Sequence, residues 1–292
     1  MLSTQEARRL DRVAFGPSIA SPAASASGAR VARARGGGLE FREFRRYEPG
    51  DDPRGIDWMI HARLRQLVVR VCRADAHLRV HLLMDTSRSM TTGAQDKLTC
   101  ARKIAALLAY VAVGRRDAVG VATFDHTVRR HIAPAVGRAQ LLRIFDLLAT
   151  DAPGGQSAIN RALADYGAAV RGPGLAVVIS DFYEAGGSLE GLRYLLHRGL
   201  TPVVVQVVAS QELDPQITGE VELVDVEDPD APSVIVDPRT VGAYRERMAG
   251  LKAELGEFCI RHGSPFVRVE AGFPFDRLLH ACLDASLLAA QG

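Results

Sequence analysis

The chain has 292 residues, 47% of them hydrophobic, 24% charged and 6% aromatic, and its 36 basic and 34 acidic side chains leave a formal net charge of +2. This composition excludes disorder throughout and a collagen-like fibre, and so even a balance of charge calls for no polyanionic partner. Four cysteines, Cys72, Cys100, Cys259 and Cys282, form no CxxC pair or Cys/His cluster, so neither a zinc site nor a disulfide framework is indicated and a reducing cytosol fits.

Residues 1–38 read as a flexible basic arm. From Gly16 to Gly38 the sequence GPSIASPAASASGARVARARGGG has no period that could bury a face. The opening residues lack an uninterrupted apolar core, and the longest apolar run, Ile104 to Val113, is too short to cross a bilayer. A cytoplasmic protein with no membrane span is therefore expected. Residues 39–78 form an accessory segment crowded with aromatic, Arg and Asp residues around a turn at Pro49-Gly50. Arg54 and Arg63 could pair with Asp51, Asp52 or Asp57, holding the segment against a sheet through Tyr47 and the single tryptophan, Trp58. The same arginines argue against an acid/base role for these clustered carboxylates.

Beyond residue 78, short apolar runs alternate with longer helical patterns, which predicts an α/β fold with a doubly wound, mostly parallel sheet. Strands are expected at 80–84, 118–124, 175–180, 201–209 and 265–270, and helices at roughly 97–113, 138–149, 157–171, 188–198 and 238–261. HTVRRHI (126–132) reads as an antiparallel edge partner reached through a tight turn at Asp125-His126. The stretch 211–236 carries eight acids and no base, and its runs EVELVDV and SVIVD suit a surface hairpin or insertion.

In doubly wound sheets, ligands bind at the carboxyl ends of the parallel strands. There this chain places Asp85-Thr86-Ser87-Arg88-Ser89 after the strand at 80–84 and Asp181 after the strand at 175–180, while Gly154-Gly155-Gln156-Ser157 opens the helix before that second strand. Asp85, Ser87 and Ser89 alternate, so one loop can aim all three hard oxygens at one point. That is divalent-cation chemistry, with Mg²⁺ favoured in a compact octahedron. Ser157 could add a hydroxyl and Asp181 a second carboxylate. The structural alternative is that Asp85 merely caps the following helix, a role worth ~1 kcal/mol.

Asp85-x-Ser87-x-Ser89 with Ser157 and Asp181 resembles the metal-ion-dependent adhesion site of von Willebrand factor type A domains. The resemblance implies that Ser87, Ser89 and Ser157 bind the ion directly, that Asp85 and Asp181 act as outer or water-bridged ligands, and that a partner's Asp or Glu completes the shell. The family's threonine is replaced here by Ser157 or, in the alternative alignment, by Gln156. The run RRYEPGDDPRGIDW (45–58), followed by Ala62-Arg63, also resembles the bacterial domain-of-unknown-function family 58. Members join this signature to a von Willebrand A-like domain and are thought to act with MoxR-type AAA+ ATPases.

The function expected on these grounds is non-enzymatic: an adaptor whose ion captures a carboxylate of a MoxR-type ATPase or its client, with Arg88 and His126 on neighbouring rim loops. Two other classes remain. A metal-dependent phosphoryl-transfer hydrolase would use Asp85 as nucleophile, although the chain has no DxDxT loop or GxxxxGK[ST] cradle. Nucleic-acid binding would use Arg30, Arg33, Arg35, Arg42, Arg45 and Arg46, and would show a steep salt dependence.

Overall fold

The computed structural model describes residues 4–16, 39–47, 56–74, 77–91, 96–183, 187–213, 215, 221–223, 234–236 and 238–290. In chain order the elements are α1 (Thr4–Leu10), β1 (Val13–Phe15), β2 (Leu39–Arg46), α2 (Trp58–Leu64), β3 (Val68–Ala74), β4 (Arg79–Asp85), a 3-10 turn (Arg88–Thr91), α3 (Lys97–Gly114), β5 (Ala118–Phe124) and β6 (Val128–Ala135). They continue with α4 (Arg138–Thr150), α5 (Ile159–Ala169), β7 (Gly174–Ser180), α6 (Leu189–His197), β8 (Leu200–Val208), α7 (Ser210–Leu213), β9 (Val221–Leu223), β10 (Val234–Val236), α8 (Pro238–His262), β11 (Phe266–Glu270), α9 (Phe275–Asp284) and β12 (Leu288–Ala290). The chain divides into two units, one drawn from 1–25 and 78–292, the other from 26–77.

The larger unit is built on a six-stranded sheet of order β11-β8-β7-β4-β5-β6. Every pairing is parallel except β5 with β6, where the expected antiparallel edge strand lies. The inner strands read as nearly unbroken apolar runs because helices cover both faces. On one face Leu82, Val121, Val177 and Val205 pack with Ile104 and Leu108 of α3, Ile144 of α4 and Leu278 of α9. On the other, Leu83, Val178 and Val204 meet Leu163 of α5, Leu195 of α6 and Leu255 of α8. Each such side chain contributes roughly 1.5–3 kcal/mol by leaving water. The edge strand comes so close that a Cβ on Gly120 would lie 2.5 Å from the Ile132 carbonyl oxygen, so the position requires glycine.

Counted from β6, the chain order 3-2-1-4-5-6 across the sheet reverses between β4 and β7, and in such sheets it is at the carboxyl ends beside this reversal that ligands bind. The expectation of a doubly wound, mostly parallel α/β fold is met. The arm expected over 1–38 needs correction at its start. Residues 4–16 form α1 and β1; Leu10, Val13 and Phe15 are buried, and β1 pairs antiparallel with β12 at the far end of the chain. Burying those three side chains outweighs the Arg-rich character of the neighbouring sequence. Gly16 N–H closes the ladder on the Leu287 carbonyl at 3.0 Å. In the acidic stretch, β9 and β10 pair antiparallel.

The smaller unit contains the antiparallel pair β2–β3, with a register irregularity between Phe41 and Glu43, and the short helix α2. Asp57 is the N-cap of α2, its Oδ1 accepting the N–H groups of Met59 at 3.1 Å and Ile60 at 3.2 Å. The expected clamp residues Asp51, Asp52 and Arg54, with the turn at Pro49-Gly50, lie outside the described residues, as do residues 17–38 of the arm.

Candidate metal centre

β4 ends at Asp85 and β7 ends one residue before Asp181, so two carboxylates reach the same rim from neighbouring strands. Asp85, Thr86 and Ser87 have no exposed surface, and Asp181 is 2% exposed. Asp85 turns the chain back on itself: its Oδ1 accepts the Ser87 N–H at 2.8 Å. That turn brings the Ser87 and Ser89 hydroxyl oxygens 3.0 Å apart. The remaining Asp85 oxygen, Oδ2, accepts the Ser180 hydroxyl at 2.6 Å, and Ser180 Oγ in turn accepts the Phe182 N–H at 3.0 Å. Phe182 is buried with φ 62°, a left-handed conformation that a non-glycine residue adopts only under constraint.

The loop before α5 is stitched to the Asp85 loop through the backbone. Gly154 N–H donates to the Thr86 carbonyl at 2.5 Å, and Arg88 N–H donates to the Gly155 carbonyl at 3.0 Å. Asp125, at the end of β5, holds the other side by accepting Gly155 N–H at 3.0 Å. Burial opposes its charge, but the Gly155 and Thr127 amides and His126 together hold its carboxyl below the usual range. A Cβ at Gly154 would stand 2.4 Å from Asp125 Oδ2, which explains the glycine. Ser157 is half-buried in this loop and Gln156 is exposed. Helix α5 therefore starts at Ile159, two residues later than the apolar spacing predicts, because residues 154–158 are committed to the loop.

The structure thus brings Asp85, Ser87 and Ser89 together and ties the Ser157 loop beside them. Asp181 is engaged elsewhere. Its Oδ2 lies 2.9 Å from Lys97 Nζ, and its Oδ1 accepts the Tyr183 N–H at 3.2 Å. Lys97 is wholly buried, bonds Glu212 Oε1 at 2.5 Å, and sits 5.0 Å from the centre of the Tyr183 ring. Burial works against the ammonium, but Asp181 and Glu212 outweigh it and hold Lys97 above its ordinary value. Asp85 shows the reverse. Burial and the nearby Asp181 charge push its carboxyl well up, against the lowering effect of bonds from Ser180 and Ser87. Lys97, Ser180, Asp125 and Glu212 were not singled out by motif.

A family model described as protein of unknown function DUF58 matches residues 43–254. The chain belongs to the DUF58 family. The uncharacterized protein Rv1480 of Mycobacterium tuberculosis and the uncharacterized protein Mb1516 of Mycobacterium bovis are each 30% identical to it over 217 residues, covering 72% of this chain and 64% of theirs. This DUF58 chain therefore spans about 64% of the length of the curated relatives it matches. Among solved structures, the conserved hypothetical protein BatB from Bacteroides thetaiotaomicron aligns at 16% identity with a TM-score of 0.46, over 72% of this chain and 98% of that one. Manganese-loaded Plasmodium vivax TRAP aligns at 13% identity with a TM-score of 0.37, over 74% and 75%. Among the described residues of this DUF58 protein, no helix is long and apolar enough to cross a membrane.

The donor set suits a small hard cation. Oxygens at neighbouring vertices of an octahedron with Mg–O near 2.1 Å stand about 3.0 Å apart, the separation of the Ser87 and Ser89 hydroxyls. Beside them lies a buried carboxylate, Asp85, with no cationic side chain paired to it among the described residues. Burial makes the charged form of Asp85 costly, by several kcal/mol, and the hydrogen bonds from Ser87 and Ser180 offset only part of that cost.

Proposed function

We propose that this DUF58 protein is a non-enzymatic interaction module that captures a partner's Asp or Glu through a Mg²⁺-type ion held by Asp85, Ser87, Ser89 and Ser157, with Asp181 in an outer position. The observation that supports the reading is the fully buried Asp85, hydrogen-bonded to Ser87 and Ser180 but with no cationic partner among the described residues, beside two facing hydroxyls. When bound, the ion supplies a Lewis-acidic seat for the outside carboxylate. The chain's own residues prepare that seat. Ser180 fixes one Asp85 oxygen, the Ser87 amide fixes the other, and the Thr86–Gly154 and Arg88–Gly155 bonds keep the two loops in register. Arg88 and His126 are exposed, and although His126 Nδ1 lies 2.9 Å from Asp125 Oδ1, both would be the side chains nearest to hand for an incoming carboxylate in this reading.

The partner we favour is a MoxR-type AAA+ ATPase or its client, in the cytoplasm. Three described cysteines, Cys100, Cys259 and Cys282, are buried free thiols, which suits a reducing compartment. The test is capture of a purified MoxR-type ATPase by the full chain in Mg²⁺ and in chelator, with wild type and Ser87→Ala. Capture that needs Mg²⁺ and is lost in Ser87→Ala supports the reading. Equal capture under all four conditions sinks it.

A further inference from the structure

We propose that Lys97 is a built-in cation that sets how weakly the centre holds its divalent ion and how strongly the held ion attracts an outside carboxylate. This rests on the metal-centre reading above. The Lys97 ammonium, without exposed surface, takes one oxygen of Asp181, and the Tyr183 amide takes the other. It cannot swing away, because Glu212 holds it from the far side and is itself fixed by accepting the Ala209 N–H at 2.8 Å. Its backbone is equally anchored: Lys97 opens α3 directly after the cap Asp96, and the next residue, Leu98, is buried.

The negative charge of Asp181 is therefore answered before any ion arrives. A divalent ion entering the centre meets one carboxylate, Asp85, whose charge no described cation shares, and keeps about one net positive charge. Such an ion binds the protein less tightly than it would between two free carboxylates, and it has more attraction left for a third carboxylate brought by a partner. Lys97 thus acts as a specificity-determining residue: it trades ion affinity for partner affinity.

The experiment is calorimetric titration of Mg²⁺ and Mn²⁺ into the full chain, with Ser87→Ala as the control that removes the centre. Lys97→Gln, which keeps a donor toward Asp181 and loses the charge, should bind the ion at least about tenfold more tightly than wild type. Lys97→Arg, which keeps the charge, should stay within about threefold. Lys97→Met, which removes the same charge and leaves Asp181 in place, should tighten binding to the same extent and serves where Lys97→Gln fails to fold. Binding by Lys97→Gln or Lys97→Met no tighter than wild type overturns the role of Lys97 while the Ser87-dependent centre stands. An absence of ion binding in every variant overturns the centre itself, and this inference with it.

Discussion

The ends of β4 and β7 pose the same physical problem and solve it differently. Each delivers a buried aspartate to one rim of the sheet, and the two carboxylates lie near enough to disfavour each other's charge. Asp181 is answered by a buried ammonium that Glu212 also grips. Among the described residues Asp85 is answered by neutral donors, the Ser180 hydroxyl and the Ser87 hydroxyl and amide. The contrast separates a carboxylate paired with a cation from one that, in the proposed centre, would meet an incoming cation.

The strongest way to break this comparison is to neutralise the Asp181 end. Asp181→Asn leaves Lys97 buried with one carboxylate partner instead of two. Removing one partner of a buried pair costs roughly 3–5 kcal/mol, so urea denaturation of the full chain should show a loss toward the lower end of that range. A loss below ~1 kcal/mol would mean that the pair is not the stabilising half of the rim.

The next effect comes from a third buried ionisable group on the same strand face. His81, Leu83 and Asp85 alternate along β4 and so share a side of the sheet. His81 has no exposed surface and its Nδ1 lies 2.8 Å from the Tyr166 hydroxyl. Burial, then the charges of Arg79 and His131, lower its pKa to about 4 from 6.5. His81 solves its burial by remaining neutral. Below pH 6.5 the unfolded chain takes a proton that the folded chain refuses, so stability is full above that pH and falls as pH drops toward 4. The expected loss is about 3 kcal/mol across that window. Tyr166 also meets the His131 ring, whose own pKa is lowered by burial. Comparing wild type with His81→Gln isolates the His81 share: the slope between pH 6.5 and 4 should flatten. An unchanged slope would assign the acid sensitivity elsewhere.

A smaller effect of opposite sign is expected at Asp85. Asp85→Asn removes a buried charge that only neutral donors offset among the described residues and keeps the shape, so the metal-free chain should gain roughly 1–2 kcal/mol while losing Mg²⁺-dependent capture. Measured beside Asp181→Asn under the same metal-free conditions, the two substitutions should move the urea midpoint in opposite directions. Loss of stability at both sites would make Asp85 a structural residue.

Much of this arrangement is legible in the sequence, for a physical reason. The run Ala118–Phe124 is a strand over the residues expected, β7 starts one residue earlier than expected, and β4 and β8 differ by one residue at each end, because buried parallel strands announce themselves as unbroken apolar runs. The pairing of Val13–Phe15 with Leu288–Ala290 left no such mark. Three-residue strands carry no period, and their partners lie at opposite ends of the chain. Lys97 does not stand out in the sequence, because a lysine beside a helix start reads as solvated. Its position was still a signal: a cation as the first residue of a helix stands at the positive end of the macrodipole, an unfavourable place without carboxylates nearby. Asp181 and Glu212 are those carboxylates. Glu212 is one of eight acids in its stretch, and nothing local distinguishes it.

The smallest effect sharpens the comparison by showing what a carboxylate does when capping is its role. Asp57 accepts the N–H groups of Met59 and Ile60 at the start of α2. Asp57→Ala should cost about 1 kcal/mol, seen as faster amide exchange at those two residues, and Asp57→Asn or Asp57→Ser should restore most of it, since any short side-chain oxygen can cap. Mg²⁺ should change none of these rates. Asp85 also accepts an amide two residues ahead, so the capping account of Asp85 makes the same forecast: tolerance of Asn and indifference to metal. A metal-centre Asp85 behaves otherwise, because an amide can cap but cannot supply charge. If Asp85→Asn retained Mg²⁺-dependent capture as fully as Asp57→Asn, Asp85 would be a cap and the neighbouring hydroxyl pair would have no ion to serve.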